Sequence, residues 1–288
     1  MDNINGVLLV DKPKGITSQT LITKIKRHLN IKKIGHAGTL DPLATGLMVV
    51  LLGSSTKLSD YLMSNEKEYE CEILIGSSSD TEDIEGNIIT EKEVKQLNNI
   101  DMVLASLKGT LSQIPPMYSS VHHNGIKLYE LARKGIEVER EPRVIEVKDI
   151  KRTSDVIYEN KKAKFTFQAC VSKGTYIRTL CVEIGSRIEY PALMSNLRRI
   201  KSGTFKIEDA YKLDDILNDK YKVLSNYEAI KDKDLFDVDE KTYKDIMNGK
   251  VITLKSDKEQ LFITYKKELI AVYDKVENNL YKAKRVWN

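Results

Sequence analysis

The sequence predicts an α+β fold: a mixed, largely antiparallel sheet with flanking helices, followed by a small C-terminal β domain. Three observations predict it. Strand-like apolar runs and helical stretches interleave without the regular spacing of βαβ units. Several strands fall into hairpin-like pairs, which favours antiparallel pairing. Around Lys231-Asp232-Lys233-Asp234 the chain turns into a charged, aperiodic linker, and a short helix and three strand-like runs follow. A boundary near residue 235 therefore separates a larger domain, 1–235, from a smaller one, 236–288.

The elements follow in order. Gly6 to Val10 reads as a short buried strand, closed by the turn signal Lys12-Pro13-Lys14-Gly15. Leu21, Ile22, Ile25 and Leu29 recur at helical spacing, and Thr17 or Ser18 suits the N-cap. From Ile31 to Gly46 periodicity vanishes; Gly35, Gly38, Pro42 and Gly46 punctuate one long loop. Loops of that length inside a compact domain usually carry function. Leu47 to Leu52 is an uninterrupted apolar strand, and Tyr69 to Ile75 is another strand. Asp80 to Gly86 reads as an acidic loop. Thr90 and Glu93 match a capping box and predict a helix opening there. Asn124-Gly125 signals a tight turn. Leu128, Leu131 and Ala132 suit a helix stopped by Gly135. Val144–Ile150 and Ala163–Val171 read as strands, and Ile177–Ile188 as an amphipathic helix. Beyond the linker come a helix over Lys241–Met247 and strands near 251–254, 261–265 and 269–273.

Composition narrows the class. The chain has 288 residues, 41% apolar and 31% charged, with a formal charge of +4. This is ordinary globular composition, which permits a polyanionic partner without predicting one. No apolar run approaches the roughly 20 residues needed to span a bilayer. The N-terminus lacks the basic-then-apolar pattern of a secretory signal, so the expected compartment is the cytoplasm. Cys71, Cys170 and Cys181 form no Cys-x-x-Cys pair and read as reduced core residues rather than metal ligands.

Two segments could carry chemistry. In Gly35-His36-Ala37-Gly38-Thr39-Leu40-Asp41-Pro42-Leu43-Ala44-Thr45-Gly46 one carboxylate sits between glycine-rich arms. The proline holds Asp41 extended, and the glycines admit a close second backbone. Asp41 suits either a reactive carboxylate or the cap of a turn, the commoner use of an Asp-Pro pair. Lys173-Gly174-Thr175-Tyr176-Ile177-Arg178 turns into a helix and can aim a ring and a guanidinium into one cleft. Arg178 could hold a carboxylate ionised or lie at the surface. Gly53-Ser54-Ser55-Thr56-Lys57 lacks the spacing of a phosphate loop. Asp80, Asp83 and Glu85 do not match a calcium loop and read as a solvated turn. His122-His123 would point to opposite faces of a strand and cannot share a metal. Arg198, Arg199 and Lys201 suit phosphate contacts and a solvated basic face about equally.

Together these motifs resemble the bacterial TruB family of tRNA pseudouridine-55 synthases, from Gly6 to about Phe205 and more faintly beyond. Gly6 to Ser18, Gly35 to Gly46, the Lys67-Glu68-Tyr69 triplet, Pro115 to Ser119, Leu128 to Arg133, Lys173 to Leu180 and Leu197 to Arg199 stand in the family's order. The resemblance implies a pseudouridine synthase-like catalytic fold and a PUA-like, RNA-binding C-terminal domain. It implies that Asp41 is the catalytic carboxylate, that Arg178 pairs with it, and that Tyr69 stacks on the target base. Tyr176 and Leu197 would line the pocket, and His36 would fill the space left in the RNA by the displaced base. Lys12 and Pro13 would support the loop from below. The implied reaction isomerises a flipped-out T-loop uridine of tRNA and consumes no cofactor or metal. The implied enzyme works as a monomer without guide RNA or membrane.

Overall fold

The computed structural model describes residues 4–63 and 66–287. Its larger sheet has 11 strands. The main path runs Tyr211–Lys212, Gly6–Lys12, Thr45–Leu52, Ala192–Ser202, Glu66–Ile75, Lys162–Ser172, Arg143–Arg152, Gly109–Gln113. Two junctions on this path are parallel, Gly6–Lys12 with Tyr211–Lys212 and Ala192–Ser202 with Thr45–Leu52. The other pairings on it are antiparallel. The expected mixed, largely antiparallel α+β sheet is therefore present.

Burial explains the two strand patterns. Leu8, Val10, Met48 and Val50 enter the main core with Leu21, Ile25 and Ile184. Val7, Leu9, Leu47, Val49 and Leu51 face the opposite way, into a second core shared with Phe262, Leu269, Val272 and Trp287 of the C-terminal segment. Both faces are covered, so these strands read as continuous apolar runs. Lys162–Ser172 buries only alternate residues and reads as a strict alternation.

The helix Ser18–His28 is capped by Thr17, whose hydroxyl accepts from Thr20 N. Asn124 and Gly125, at φ 50° and 81°, turn the hairpin His122–His123/Ile126–Lys127. The helix expected at Thr90 is absent. Ile88–Glu91 is instead a strand paired with Ser77–Ser79, and Lys92 N and Val94 N donate to Gly76 O and Lys161 O. The β-branched run Ile88-Ile89-Thr90 and these pairings outweigh a local capping pattern. The helix forms later, at Ile100–Ser106.

The central strand Ala192–Ser202 was not legible as one. Register shifts at Met194/Asn196 and Arg199/Lys201 break its alternation, and a buried Arg interrupts its apolar side. In the C-terminal sheet, strands Leu235–Asp237 and Leu280–Val286 join the three expected runs, giving five strands beside the helix Glu240–Met247. Cys71 and Cys181 are buried and Cys170 half-buried; all three are free thiols.

Candidate active site

The glycine-rich loop leaves the sheet at His36 and returns at Thr45. Ile34–His36 pairs antiparallel with the Thr45–Leu52 strand, so both ends are anchored on one strand. Gly46, at φ +102°, lies opposite Arg199, and a Cβ there would run into the Arg199 backbone. Only glycine lets the parallel strand approach this closely.

The loop's backbone is held from several sides. Ser18 Oγ donates to Leu40 O at 2.8 Å and accepts from Leu40 N at 2.9 Å. Pro42 O accepts from Gly15 N at 2.9 Å and from Lys12 Nζ at 3.2 Å; Lys12 Nζ also donates to Pro13 O. Lys12 is fully buried, and desolvation lowers its pKa to about 8 despite the opposing pull of Asp41. Arg199 donates to Leu47 O, Thr39 O and Gly38 O at 2.7, 3.2 and 3.1 Å. Lys12 Nζ thus joins the carbonyl of Pro13 to that of Pro42 in the loop.

Asp41 stands at the tip. Arg178 Nε lies 3.0 Å from its Oδ2. The guanidinium is 4% exposed and the carboxylate 38%. Arg178 Nη1 donates to Thr81 O and Nη2 to Tyr118 O, at 2.9 and 2.8 Å, with Asp83 Oδ2 at 3.8 Å. Asp83 accepts from Thr81 Oγ1 and Glu85 N. The acidic turn is thus tied to Arg178, and its Asp83 is buried. This is a fixed, accessible carboxylate held against a buried guanidinium, an arrangement that suits a nucleophile or the stabilisation of a cationic sugar.

Tyr176 caps the Arg178 helix; its N donates to Gln113 Oε1 and its O accepts from Gln113 Nε2. Burial raises the pKa of its hydroxyl, and both Asp41 and Arg178 lie within its electrostatic reach. Tyr69 and Leu197 occupy adjacent central strands and pack in one cluster with Leu40 and Leu43. No hydrogen bond or ion pair joins either to Asp41. His36 Nδ1 accepts from Gly38 N at 3.3 Å; burial, then Arg199, lowers its pKa and favours the neutral ring. Among the described residues no hydrogen bond or ion pair joins it to Asp41 or Arg178.

Sequence reasoning missed Arg199. It is 1% exposed, not part of a basic face. Arg198 and Lys201 are also engaged within the protein, by Asp11 at 3.0 and 2.8 Å and by Glu68 at 2.7 Å. Ser18 clamps the loop instead of capping the helix. Lys67, 8% exposed, is pushed down to about pKa 8 by desolvation and then by Arg199 and Lys173. Among the described residues Glu66, Glu68 and Cys170 come close enough to share an ion, but Lys148 and Lys201 already occupy the carboxylates.

Across the whole chain, the fold is similar to a solved H/ACA ribonucleoprotein bound to a substrate RNA containing 2′-deoxyuridine. The TM-score is 0.73 at 22% identity, over 98% of this chain and 85% of that one. An archaeal box H/ACA complex gives 0.72 at 22%, with the same coverage. This likeness establishes the fold, a mixed α+β sheet shared with those complexes. Residues 26–177 match the TruB family pseudouridylate synthase N-terminal domain, and residues 178–237 the tRNA pseudouridylate synthase B C-terminal domain. A tRNA pseudouridine synthase B of Streptococcus sanguinis is 39% identical over 99% of this chain and 100% of its own length. One from Bacillus subtilis is 45% identical over 74% and 70%. The chain belongs to the TruB family of pseudouridylate synthases.

Proposed function

We propose that the protein isomerises the T-loop uridine at position 55 of tRNA to pseudouridine, acting as a monomer without guide RNA, in the cytoplasm. Family membership supports the tRNA reading. Among the described residues no helix is long and apolar enough to cross a membrane. The observation that carries the chemistry is the accessible Asp41 carboxylate bonded at 3.0 Å to a buried Arg178.

The reaction balances without cofactor or metal. The N1–C1′ bond breaks, the uracil turns, and C5 bonds to C1′; the C5 proton leaves and N1 gains one. Asp41 either bonds covalently to the substrate or stabilises the electron-poor sugar, and Arg178 holds it in place. The uridine must leave the stack, at a cost of a few kcal/mol. Tyr69 stacks on the extruded base, Tyr176 and Leu197 line its pocket, and neutral His36 fills the gap in the RNA. The proposed domain division at 235/236 falls at the first residue of the strand Leu235–Asp237, which pairs with the C-terminal sheet. That sheet serves as the PUA-like RNA-binding part.

Purified protein alone, given an unmodified tRNA transcript, should form pseudouridine at position 55. Asp41→Asn should abolish the product while keeping tRNA affinity within about threefold, since the carboxylate breaks bonds rather than docks RNA. Product formation by Asp41→Asn at the wild-type rate would reject the mechanism. A need for added guide RNA would reject the stand-alone reading.

A further inference from the structure

A groove of about 660 Å³ is lined by one side of the Ser18–His28 helix and by the segment that follows it, His36 included. Gln19, Thr23, Lys26, Arg27 and Asn30 line one wall; these positions recur at helical spacing. The groove contains no carboxylate. No Asp or Glu occurs anywhere between Asp11 and Asp41, although Lys24, Lys26, Arg27, Lys32 and Lys33 fall in that stretch.

Lys26 and Arg27 are exposed, and among the described residues neither forms an ion pair. His28, outside the groove, takes Asp219 at 2.9 Å. The helix dipole accounts for basic residues in the last turn, but not for the missing acid in the first. The helices at 59–62, 100–106, 128–132, 213–217, 226–229 and 240–247 all carry an acid in their first turn. Ser18–His28 and Ile177–Arg187, the two α-helices that hold the Asp41 loop, do not. Both forgo the stabilisation that an acid gives at a helix N-terminus. A neighbouring polyanion explains that omission, because a carboxylate there would repel it.

We propose that this groove binds the sugar–phosphate backbone of the substrate RNA, with Lys26 and Arg27 contacting phosphates on the strand that reaches Asp41 past His36. The proposal rests on the RNA-modifying reading above. Gln19 and Thr23 add neutral donors, so the contact positions the strand without reading bases.

The test compares two doubly substituted full-length proteins on unmodified tRNA transcript. Lys26→Gln/Arg27→Gln removes the groove cations. Lys24→Gln/Lys32→Gln removes equal charge from exposed positions outside the groove. The first should raise KM about tenfold with kcat kept within about twofold. It should also flatten the log–log salt dependence of kcat/KM by about 1 for each phosphate no longer neutralised. The control should shift both by less than half as much. Lys26→Gln alone should show about half the change in slope. An unchanged KM and slope, or an equal effect from the control, overturns the groove assignment. Failure of the wild-type protein to modify tRNA would overturn the functional reading itself.

Discussion

Arg178 and Arg199 reach the Asp41 loop from opposite regions of the site, and they do different work there. Both are nearly inaccessible, at 4% and 1% exposure. Arg178 comes from a helix and gives its Nε to the carboxylate, its remaining donors tying two neighbouring segments to the same point. Arg199 comes from the central strand and donates only to backbone carbonyls of the loop and its return strand. Among the described residues no carboxylate neutralises it. One arginine sets the charge at the loop tip, and the other sets the shape of the loop behind it. Arg199 also leaves a local positive field, felt by His36 and Lys67. The two positions should therefore separate catalysis from stability.

The largest effect is expected at Arg178. Arg178 is buried but its carboxylate partner is 38% exposed and stays solvated without it, so the loss falls on the rate rather than the fold; removing one preorganised electrostatic contributor at a reacting centre costs about 10²–10³-fold in rate. Arg178→Met should lower single-turnover pseudouridine formation by about 10³-fold, and Arg178→Lys should recover little because the planar fork is lost. A rate within tenfold of wild type would break the assignment.

Arg199→Met should show the reverse balance. Stranding three carbonyl acceptors costs about 2–4 kcal/mol, which lowers Tm by roughly 5–10 °C in a chain of this size. The Tm loss should exceed that of Arg178→Met, while the rate loss stays smaller. Calorimetry and single-turnover assays on the two variants decide whether the division holds.

The buried lysines sharpen it through pH. Lys12 has a folded pKa of about 8 against an ordinary 10.5. Below pH 8 it is protonated folded and unfolded, and folding bears the full desolvation cost. Between pH 8 and 10.5 the unfolded chain holds more protons, so stability rises with pH. Lys12→Met should remove on the order of 2–3 kcal/mol of that alkaline rise. Denaturant titrations from pH 7 to 10.5 read this slope separately from the pH-independent cost of stranding the two carbonyls that Lys12 serves. A slope identical to wild type would show that Lys12 does not titrate there.

The smallest effect belongs to Lys67. Its charged neighbours are cations, so Lys67→Met at pH 7 should change Tm by no more than about 2 °C, with an increase the favoured sign. A drop beyond 5 °C would mean the ammonium stabilises the fold, and the reading of Arg199's field would need revision.

Much of this was legible in the linear chain. The apolar runs at 6–10 and 47–52 read as strands because burial on both faces leaves no polar interruption, and the strands extend two residues further, to 12 and back to 45. Asp41 stood out because a loop rich in glycine and proline isolates it, and Arg178 because a Gly-Thr-Tyr turn precedes its helix. Ala192–Ser202 stayed hidden because its bulges and buried arginine erase the period of two. The Thr90 capping pattern misled because strand pairing from Ser77–Ser79 outcompeted it. Ser18 looked like a cap residue, and only the fold shows it bonded to Leu40.

By itself the sequence determined what is encoded locally: the alternation of elements, the turns that need glycine or asparagine, and an isolated carboxylate held extended by proline. Tertiary structure decided which arginine meets that carboxylate and which stiffens its loop. It also decided which lysines lose solvent and which cations stay exposed in the groove beside the Ser18–His28 helix. The two arginine contacts join residues more than a hundred positions apart, and desolvation and hydrogen-bond geometry exist only once the strands are side by side.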